Sequence, residues 1–382
     1  MSQELKIYFP GKLVFGKGSL DSLTEELLAV PSGKVLIITI DPLLSTLDKL
    51  INTLKDAGLS VFTDTSITQE PSFDDFKNLL AKVSPFNADV VLGIGGGSVL
   101  DIAKLLAAQL GNEQSLEEIV GIGLLKGRKK KLICVPATSG TGSEASPNAI
   151  LVDNFDNQKK GIISPFLVPD SVYVDPLLTI SVPPSITAAT GLDALTHCLE
   201  AYTNKFSQAF IDIYAFEGMR LIAANIVKAV KEGTNEEART QVAMGSLLGG
   251  FCLGPVNTAG VHALSYPLGS MFHLAHGLSN ALLLPYVMEF NIPAAPQRYA
   301  DVALALGCTP EAYPNDTAFK GVEKIRELIK DCGIPARLSE LSIPQDAIPK
   351  MAEDAMKITR LLKNNPRPIT IEDAIGIYTE AY

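Results

Sequence analysis

The chain has 382 residues, of which 47% are hydrophobic and 19% are charged, and this composition excludes a disordered protein because burial can outweigh chain entropy. The formal net charge is -10 and the longest basic run is Arg128–Lys131, so the sequence does not predict binding to nucleic acid. Five widely spaced cysteines without a Cys-x-x-Cys motif, and an N-terminus unlike a signal peptide, predict a cytoplasmic protein with free thiols.

The first half of the chain alternates apolar runs with helical patterns. Residues 5–16 are predicted to form a β-hairpin or edge pair with its turn at Pro10-Gly11. Strands are then predicted over 34–41, 59–65, 88–95 and 130–138, and helices over 17–30, 43–57, 73–83 and 98–110. This alternation predicts βαβ units and a mostly parallel sheet.

The pattern changes after about residue 180. The segment SVPPS at 181–185 is a stiff break, and nearly every later segment has helical length and period. We therefore predict an α/β, Rossmann-like nucleotide-type domain over 1–182 and an all-helical domain over 183–382.

The segment from Thr240 to Met288, called the chargeless segment below, contains no Asp, Glu, Lys or Arg. A membrane-spanning helix needs about 20 unbroken, mostly apolar residues. This segment is interrupted by Gly249-Gly250, Gly254-Pro255 and Tyr266-Pro267, and it contains three histidines. It is therefore predicted to be a buried helical core and not a membrane anchor.

A glycine-rich loop, GIGGGS at 93–98, lies between a predicted strand and a predicted helix. Glycines at such a turn let the backbone approach a pyrophosphate, whose charge the helix N-terminus stabilises. The spacing differs from the Gly-x-Gly-x-x-Gly fingerprint, so a tight turn without a ligand is the alternative interpretation.

Two further features favour a dinucleotide cofactor. Asp41 ends a predicted strand, where its carboxylate can accept hydrogen bonds from ribose hydroxyls and repel a 2′-phosphate, which favours NAD over NADP. Capping of a helix before Pro42 is the alternative role for Asp41. The segment ATSGTGSE at 137–144 is a second loop of small residues after a strand, rich in hydroxyls and amides.

All four histidines lie between positions 197 and 276. Asp193 and His197 share one helical face because they are four residues apart. A carboxylate buried in an apolar core needs a counter-charge, and a divalent cation such as iron or zinc would supply it. The other histidines are His262, His273 and His276, and the spacing does not decide whether His273 or His276 is a ligand. For each histidine, the alternative to metal binding is a buried core residue with its hydrogen bonds satisfied.

Four segments, in this order, resemble the iron-dependent (group III) alcohol dehydrogenases: GGGSVLDIAK, ATSGTGSE, GLDALTHCLEAY and HALSYPLGSMFHLAHGLSNALLLP. The resemblance covers essentially the whole chain and implies a two-domain fold like that of dehydroquinate synthase, with the active site in the cleft between the domains. It implies reversible hydride transfer between NAD(H) and a small primary alcohol, diol or aldehyde. It also implies Fe2+ or Zn2+ in the site and a homodimer or larger assembly.

The resemblance also assigns residues. It implies that the metal ligands are Asp193, His197, His262 and His276, and that His273 lies nearby without ligating. It implies that the cofactor is held by Asp41, Gly95, Gly96, Gly97, Ser98, Thr138, Ser139, Thr141 and Lys159, with Lys160 as the alternative to Lys159.

Tyr266 departs from the family pattern. Many members carry a histidine with a proton-relay role four residues after the third ligand, and here that position is Tyr266. A phenol can also relay a proton, so Tyr266 is a candidate catalytic residue beside the ligand His276, with ribose hydroxyls and water as the alternative route.

Two other functions fit parts of the sequence. A metal-dependent lyase or cyclase of the dehydroquinate synthase type would need several Lys or Arg residues for a polyanionic substrate, and the chargeless segment around His262 and His276 lacks them. A non-catalytic metal- or nucleotide-binding protein would have no need for all ligand candidates and both cofactor loops together.

Overall fold

The computed structural model describes residues 5–30, 33–155 and 158–382, and within them the chain forms two compact units. The sheet unit consists of residues 8–138 and 143–179, and the helical unit of residues 5–7, 139–142 and 180–382. The main division falls between Thr179 and Ile180, near the predicted boundary after residue 182. Residues 139–142, however, belong to the helical unit.

The described part of the sheet unit contains nine strands and four α-helices. The strands are β1 Lys12–Phe15, β2 Lys34–Ile38, β3 Ser60–Asp64, β4 Val90–Gly95, β5 Gly121–Ile122, β6 Lys131–Pro136, β7 Asn148–Asp153, β8 Gln158–Ile163 and β9 Ser171–Val174. The helices are α1 Ser19–Leu28, α2 Leu44–Asp56, α3 Phe73–Val83 and α4 Gly97–Gln109.

Six strands form one parallel sheet in the order β1-β9-β6-β4-β2-β3. The central strands β2 and β4 are apolar and almost fully buried, which is typical of a sheet covered on both faces. A smaller sheet has the order β5-β8-β7, with β7 and β8 antiparallel. The predicted parallel α/β domain is confirmed, although the β7–β8 pair was not predicted.

The predicted hairpin over residues 5–16 is wrong. Only Lys12–Phe15 forms a strand there, and it pairs in parallel with β9 at the edge of the large sheet. Leu5 and Ile7 instead pack against the core of the helical unit. Residues 5–7 belong to the helical unit and β1 belongs to the sheet unit, so the two runs do not pair with each other.

The helical unit contains, within the described residues, ten α-helices and no strand. They are α5 Pro184–Thr203, α6 Ala209–Lys231, α7 Glu236–Leu253, α8 Gly260–Phe272, α9 His276–Asn291, α10 Pro296–Ala305, α11 Pro314–Asp331, α12 Ile348–Met356, α13 Thr359–Leu362 and α14 Ile371–Glu380. The chargeless segment forms most of α7, all of α8 and most of α9, whose side chains contribute to one large apolar core. Among the described helices, none combines the length and apolarity needed to cross a bilayer.

Candidate active site

Four predicted ligands converge in the helical unit. Helix α5 carries Asp193 and His197, α8 carries His262, and α9 begins with His276. One ligand atom from each residue lies within 4.8 Å of the others. The Oδ1 atom of Asp193 is 3.8, 3.6 and 3.8 Å from the Nε2 atoms of His197, His262 and His276 respectively.

These distances fit a metal ion. A tetrahedral centre with bonds of about 2.1 Å separates its ligand atoms by about 3.4 Å, close to the spacings around Asp193. One carboxylate and three imidazoles suit iron, zinc or a similar transition metal better than Mg2+ or Ca2+. The side chains of Asp193, His197 and His262 are at most 6% exposed, whereas that of His276 is 29% exposed, so His276 is the most exposed of the four potential ligands.

The charges in this core also favour a cation. Burial raises the pKa of Asp193, but the three histidines around it outweigh burial and hold that pKa well below its usual range. Burial lowers the pKa of His262, whereas Glu200 and Asp193 raise it to about 9. Two buried carboxylates therefore attract positive charge to one place, and a divalent cation with neutral imidazoles provides it.

Small residues let the helices that carry the ligands approach closely. A Cβ atom on Gly277 would lie 2.3 Å from the carbonyl oxygen of Ala189, on α5. Glycine directly after His276 is therefore what allows the start of α9 to contact α5 and bring His276 within reach of Asp193.

His273 lies outside this group. It is the exposed C-cap residue of α8, with a φ of 56° in the left-handed region. His276, and not His273, therefore lies in the group of four potential ligands, whereas the spacing left both open.

Two residues beside the ligands were not found by sequence reasoning. The buried carboxylate of Glu200 lies 2.6 Å from Nδ1 of His262. The amide Nδ2 of Asn280 donates to Oδ1 of Asp193 at 2.7 Å and lies 3.0 Å from Nε2 of His262 and 3.2 Å from Nε2 of His276. The signal was helical spacing, since Glu200 follows Asp193 by seven residues and Asn280 follows His276 by four.

The predicted nucleotide residues lie at the carboxyl edge of the parallel sheet. The strand order reverses between β2 and β4, and ligands of open α/β sheets bind outside the carboxyl ends of strands at such a point. Asp41 follows β2, and Gly95 to Ser98 connect β4 to α4. The strand before Asp41 ends at Ile38, earlier than predicted, and Asp41 is exposed as the first residue of a short 3-10 helix.

The glycine loop has space for a ligand next to its backbone. Gly96 is the N-cap residue of α4 and offers no side-chain cap, so the first amides of that helix are left for another acceptor. Thr138 lies beside it, because a Cβ on Gly96 would be 3.5 Å from the Thr138 hydroxyl. Gly95 has a packing role, since a Cβ there would lie 2.8 Å from Val99.

Two ionisable residues on α4, the partly exposed Asp101 and the buried Lys104, connect this helix to the segment after residue 142. Asp101 accepts hydrogen bonds from Oγ of Ser143 at 2.5 Å and from the amide of Ile150 at 2.9 Å. Lys104 donates to the carbonyls of Ser146 and Asn148. Both residues lie in the segment GGGSVLDIAK, but the sequence predicted no role for either.

The remaining predicted cofactor residues are distributed over both units. Ser139 and Thr141 belong to the helical unit, whereas Lys159 lies on β8 of the sheet unit and forms an ion pair with Glu70. Lys160, the alternative to Lys159, lies 4.0 Å from Asp153. Neighbouring residues of a strand point to opposite faces of the sheet, so Lys159 and Lys160 cannot both contact a ligand bound on one face.

Tyr266 lies one helical turn after His262 on α8. Its ring centroid is 6.0 Å from that of His276, the most exposed of the four potential ligands. The phenol of Tyr266 therefore lies near the side from which a molecule would approach the four potential ligands.

Comparison with known proteins identifies the family. Residues 10–176 match the model of iron-containing alcohol dehydrogenases, and residues 187–382 match that of the C-terminal part of the Fe-containing alcohol dehydrogenase family. The chain belongs to the iron-containing alcohol dehydrogenase family. As a member, it is a metal-dependent dehydrogenase that interconverts alcohols and aldehydes. Membership favours this activity over the lyase and over non-catalytic binding.

Individual relatives cover almost the whole chain of this dehydrogenase. It is 37% identical to long-chain-alcohol dehydrogenase 1 of Geobacillus thermodenitrificans strain NG80-2, over 99% of this chain and 96% of that protein. A crystal structure of 1,3-propanediol oxidoreductase matches with a TM-score of 0.95 at 32% identity, covering 100% of both chains. Sulfoacetaldehyde reductase of Bifidobacterium kashiwanohense in complex with NAD+ matches with a TM-score of 0.89 at 26% identity, covering 99% of both.

Proposed function

We propose that this enzyme reversibly transfers hydride between NAD(H) and a small primary alcohol, diol or aldehyde, with Fe2+ or Zn2+ in the metal centre. The observation that carries the proposal is the convergence of Asp193, His197, His262 and His276 in the helical unit. A cation bound there would act as a Lewis acid toward the substrate oxygen.

The residues of the centre have distinct tasks. Asp193 lowers the net charge of the loaded site and lies 3.6 to 3.8 Å from each imidazole Nε2. The partial exposure of His276 supports entry of substrate at that side, while the buried ligands exclude water from the other sides. Tyr266 would pass the hydroxyl proton of the substrate toward solvent, because its ring lies near His276.

Two observations support NAD as the cofactor. Asp41 and the glycine loop follow neighbouring strands where the strand order reverses. Gly95, Gly96, Gly97 and Ser98 would hold the pyrophosphate with backbone amides. The structural relative from B. kashiwanohense was determined with NAD+.

The other cofactor contacts follow the family pattern. Thr138, Ser139 and Thr141 would line the phosphates and the nicotinamide, and Lys159 would contact a ribose. The Asp41 carboxylate would favour NAD over NADP, because it would repel a 2′-phosphate.

The chargeless segment supports a neutral substrate. Helices α8 and α9, which carry His262 and His276, contain no Asp, Glu, Lys or Arg before Glu289. An anionic substrate would find no basic side chain on them up to that position, whereas a small alcohol, diol or aldehyde needs none. The relative named for 1,3-propanediol is consistent with this class.

A homodimer through β1, and a cytoplasmic location, complete the proposal. β1 is an edge strand of the large sheet, and its Leu13 and the preceding Tyr8 and Phe9 are 40 to 48% exposed. An exposed strand edge with apolar side chains favours pairing with a second copy. Light scattering of the purified protein would measure the assembly.

The cysteines support the cytoplasmic location. All five are free of disulfides, as in proteins of a reducing compartment.

The decisive experiment combines metal content with turnover. The protein is purified without oxygen, its metals are measured by mass spectrometry, and NADH oxidation is followed with a panel of small aldehydes. About one Fe or Zn per chain together with turnover is the expected result. No metal after addition of Fe(II) would overturn the proposal.

A further inference from the structure

We propose that Glu200 positions the metal ligand His262, because one buried carboxylate both orients its imidazole and caps the helix that carries it. This inference rests on the proposed metal centre. Glu200 lies on α5, the helix of Asp193 and His197, and its side chain is 3% exposed. It does not belong to the four-residue ligand group.

The first contact sets the orientation of the ring. Oε2 of Glu200 lies 2.6 Å from Nδ1 of His262. An ionised carboxylate only accepts hydrogen bonds, so Nδ1 carries the proton, and in the neutral ring Nε2 then presents its lone pair. Nε2 is the atom 3.6 Å from Oδ1 of Asp193. A carboxylate behind a ligating histidine fixes its tautomer and raises its basicity.

The second set of contacts anchors the helix. The N-cap residue of α8 is Ala259, which has no side chain able to cap the first amides. Glu200 takes this role from another helix, since Oε2 accepts from the amide of Ala259 at 2.9 Å and Oε1 accepts from that of Val261 at 2.6 Å. The start of α8 is thereby attached to α5, which already holds two ligands.

Three donors thus converge on two carboxylate oxygens. An amide at position 200 would have one accepting oxygen and an NH2 group, so at least one of the three donors would face another donor. It would also lack the negative charge behind the imidazole. Glu200→Gln therefore changes the hydrogen bonding of His262 and α8 while nearly conserving side-chain shape.

Asn364 offers a matched control. Its buried Nδ2 donates to the carbonyl of Thr258 at 2.8 Å, so it holds the same loop immediately before α8. Among the described residues no hydrogen bond joins Asn364 to His262, so Asn364→Ala loosens the loop but leaves the imidazole and its carboxylate in place.

The test is Co(II) binding to metal-free protein in competition with a chelator. We expect Glu200→Gln to weaken Co(II) binding about 10- to 100-fold relative to wild type, and Asn364→Ala by less than about threefold. Equal affinity of wild type and Glu200→Gln would overturn the role of Glu200. Absence of Co(II) binding by wild type would instead overturn the proposed metal centre.

A spectroscopic measurement separates positioning from a purely structural role. In the Zn(II)-loaded wild type, NMR should show a low-field Nδ1 proton of His262 because of the short hydrogen bond to Glu200. This resonance should move upfield in Glu200→Gln and persist in Asn364→Ala. If Glu200→Gln does not fold, the wild-type spectrum still decides, because absence of a low-field His262 proton would overturn the inference.

Discussion

The candidate metal centre of the helical unit consists of four side chains, whereas the candidate nucleotide site at the carboxyl edge of the sheet consists mostly of backbone groups. Asp193 and the three histidines are rare residue types in an apolar core, so their presence is visible in the sequence. At the sheet edge, the residues around Gly96 contribute amides and open space, which almost any turn could contain. Side-chain sites are therefore visible as unusual composition, whereas a backbone site is recognised mainly by its place in the topology.

The largest effect should come from removing one side chain of the metal centre. We expect His262→Ala to lose bound metal and to lower kcat/KM by about 10³-fold or more, since Lewis-acid stabilisation is worth several kcal/mol. Metal analysis and NADH oxidation measure both. Substitution of the exposed His273 by Ala is the matched control and should leave metal content unchanged. Turnover retained by His262→Ala without metal would contradict the metal centre.

Tyr266 tests whether the side-chain chemistry extends beyond the ligands. We expect Tyr266→Phe to lower kcat about 10- to 100-fold while the metal content stays constant, because the phenyl ring keeps the packing but cannot exchange a proton. Tyr266→His should restore much of the rate and shift the pH profile. If Tyr266→Phe is fully active, the proton leaves by another route, such as the ribose hydroxyls.

The backbone site is tested by adding a methyl group. A Cβ on Gly96 would meet Thr138 at an ordinary contact distance of 3.5 Å, so Gly96→Ala should leave the melting temperature unchanged. It should raise KM for NADH about 10-fold, corresponding to about 1.4 kcal/mol, because the methyl occupies space needed by a pyrophosphate. Gly127→Ala, where a Cβ would meet nothing within 4 Å, is the control. An unchanged KM would place the pyrophosphate elsewhere.

The smallest effect on catalysis should come from Glu26, a charged residue of the sheet unit without a predicted role. Burial raises the pKa of Glu26, but hydrogen bonds from Lys131, Ser171, Tyr173 and Lys12 outweigh it and hold that pKa at about 2. A carboxylate with a lowered pKa stabilises the folded state above its unfolded pKa of about 4.5, and this contribution is lost as pH falls toward 2.

Glu26→Gln should therefore reduce the free energy of unfolding by about 1–3 kcal/mol at neutral pH and much less near pH 2. Urea unfolding at several pH values measures this, with kcat and KM unchanged. A change in KM for NADH would contradict the purely structural role of Glu26.

Much of the fold follows from local patterns. The alternation of apolar runs and helical periods predicts the parallel sheet, and the helical periods after residue 180 predict the second unit. The prediction of a hairpin at 5–16 was wrong because β1 pairs with β9, about 160 residues away. A local sequence pattern does not identify a partner strand at that distance. The β7–β8 pair was missed because its strands contain polar residues, including Gln158, Lys159 and Lys160.

For the site, the sequence by itself determined the donor types, the shared helical face of Asp193 and His197, and the glycine turn after a buried strand. The family resemblance already implied His276 and not His273 as a ligand, but only the tertiary structure shows that His273 caps a helix and that Glu200 contacts His262 across 62 residues of chain. The physical reason is that spacing within one helix specifies a face, whereas convergence of α5, α8 and α9 depends on how their apolar surfaces and glycines pack together.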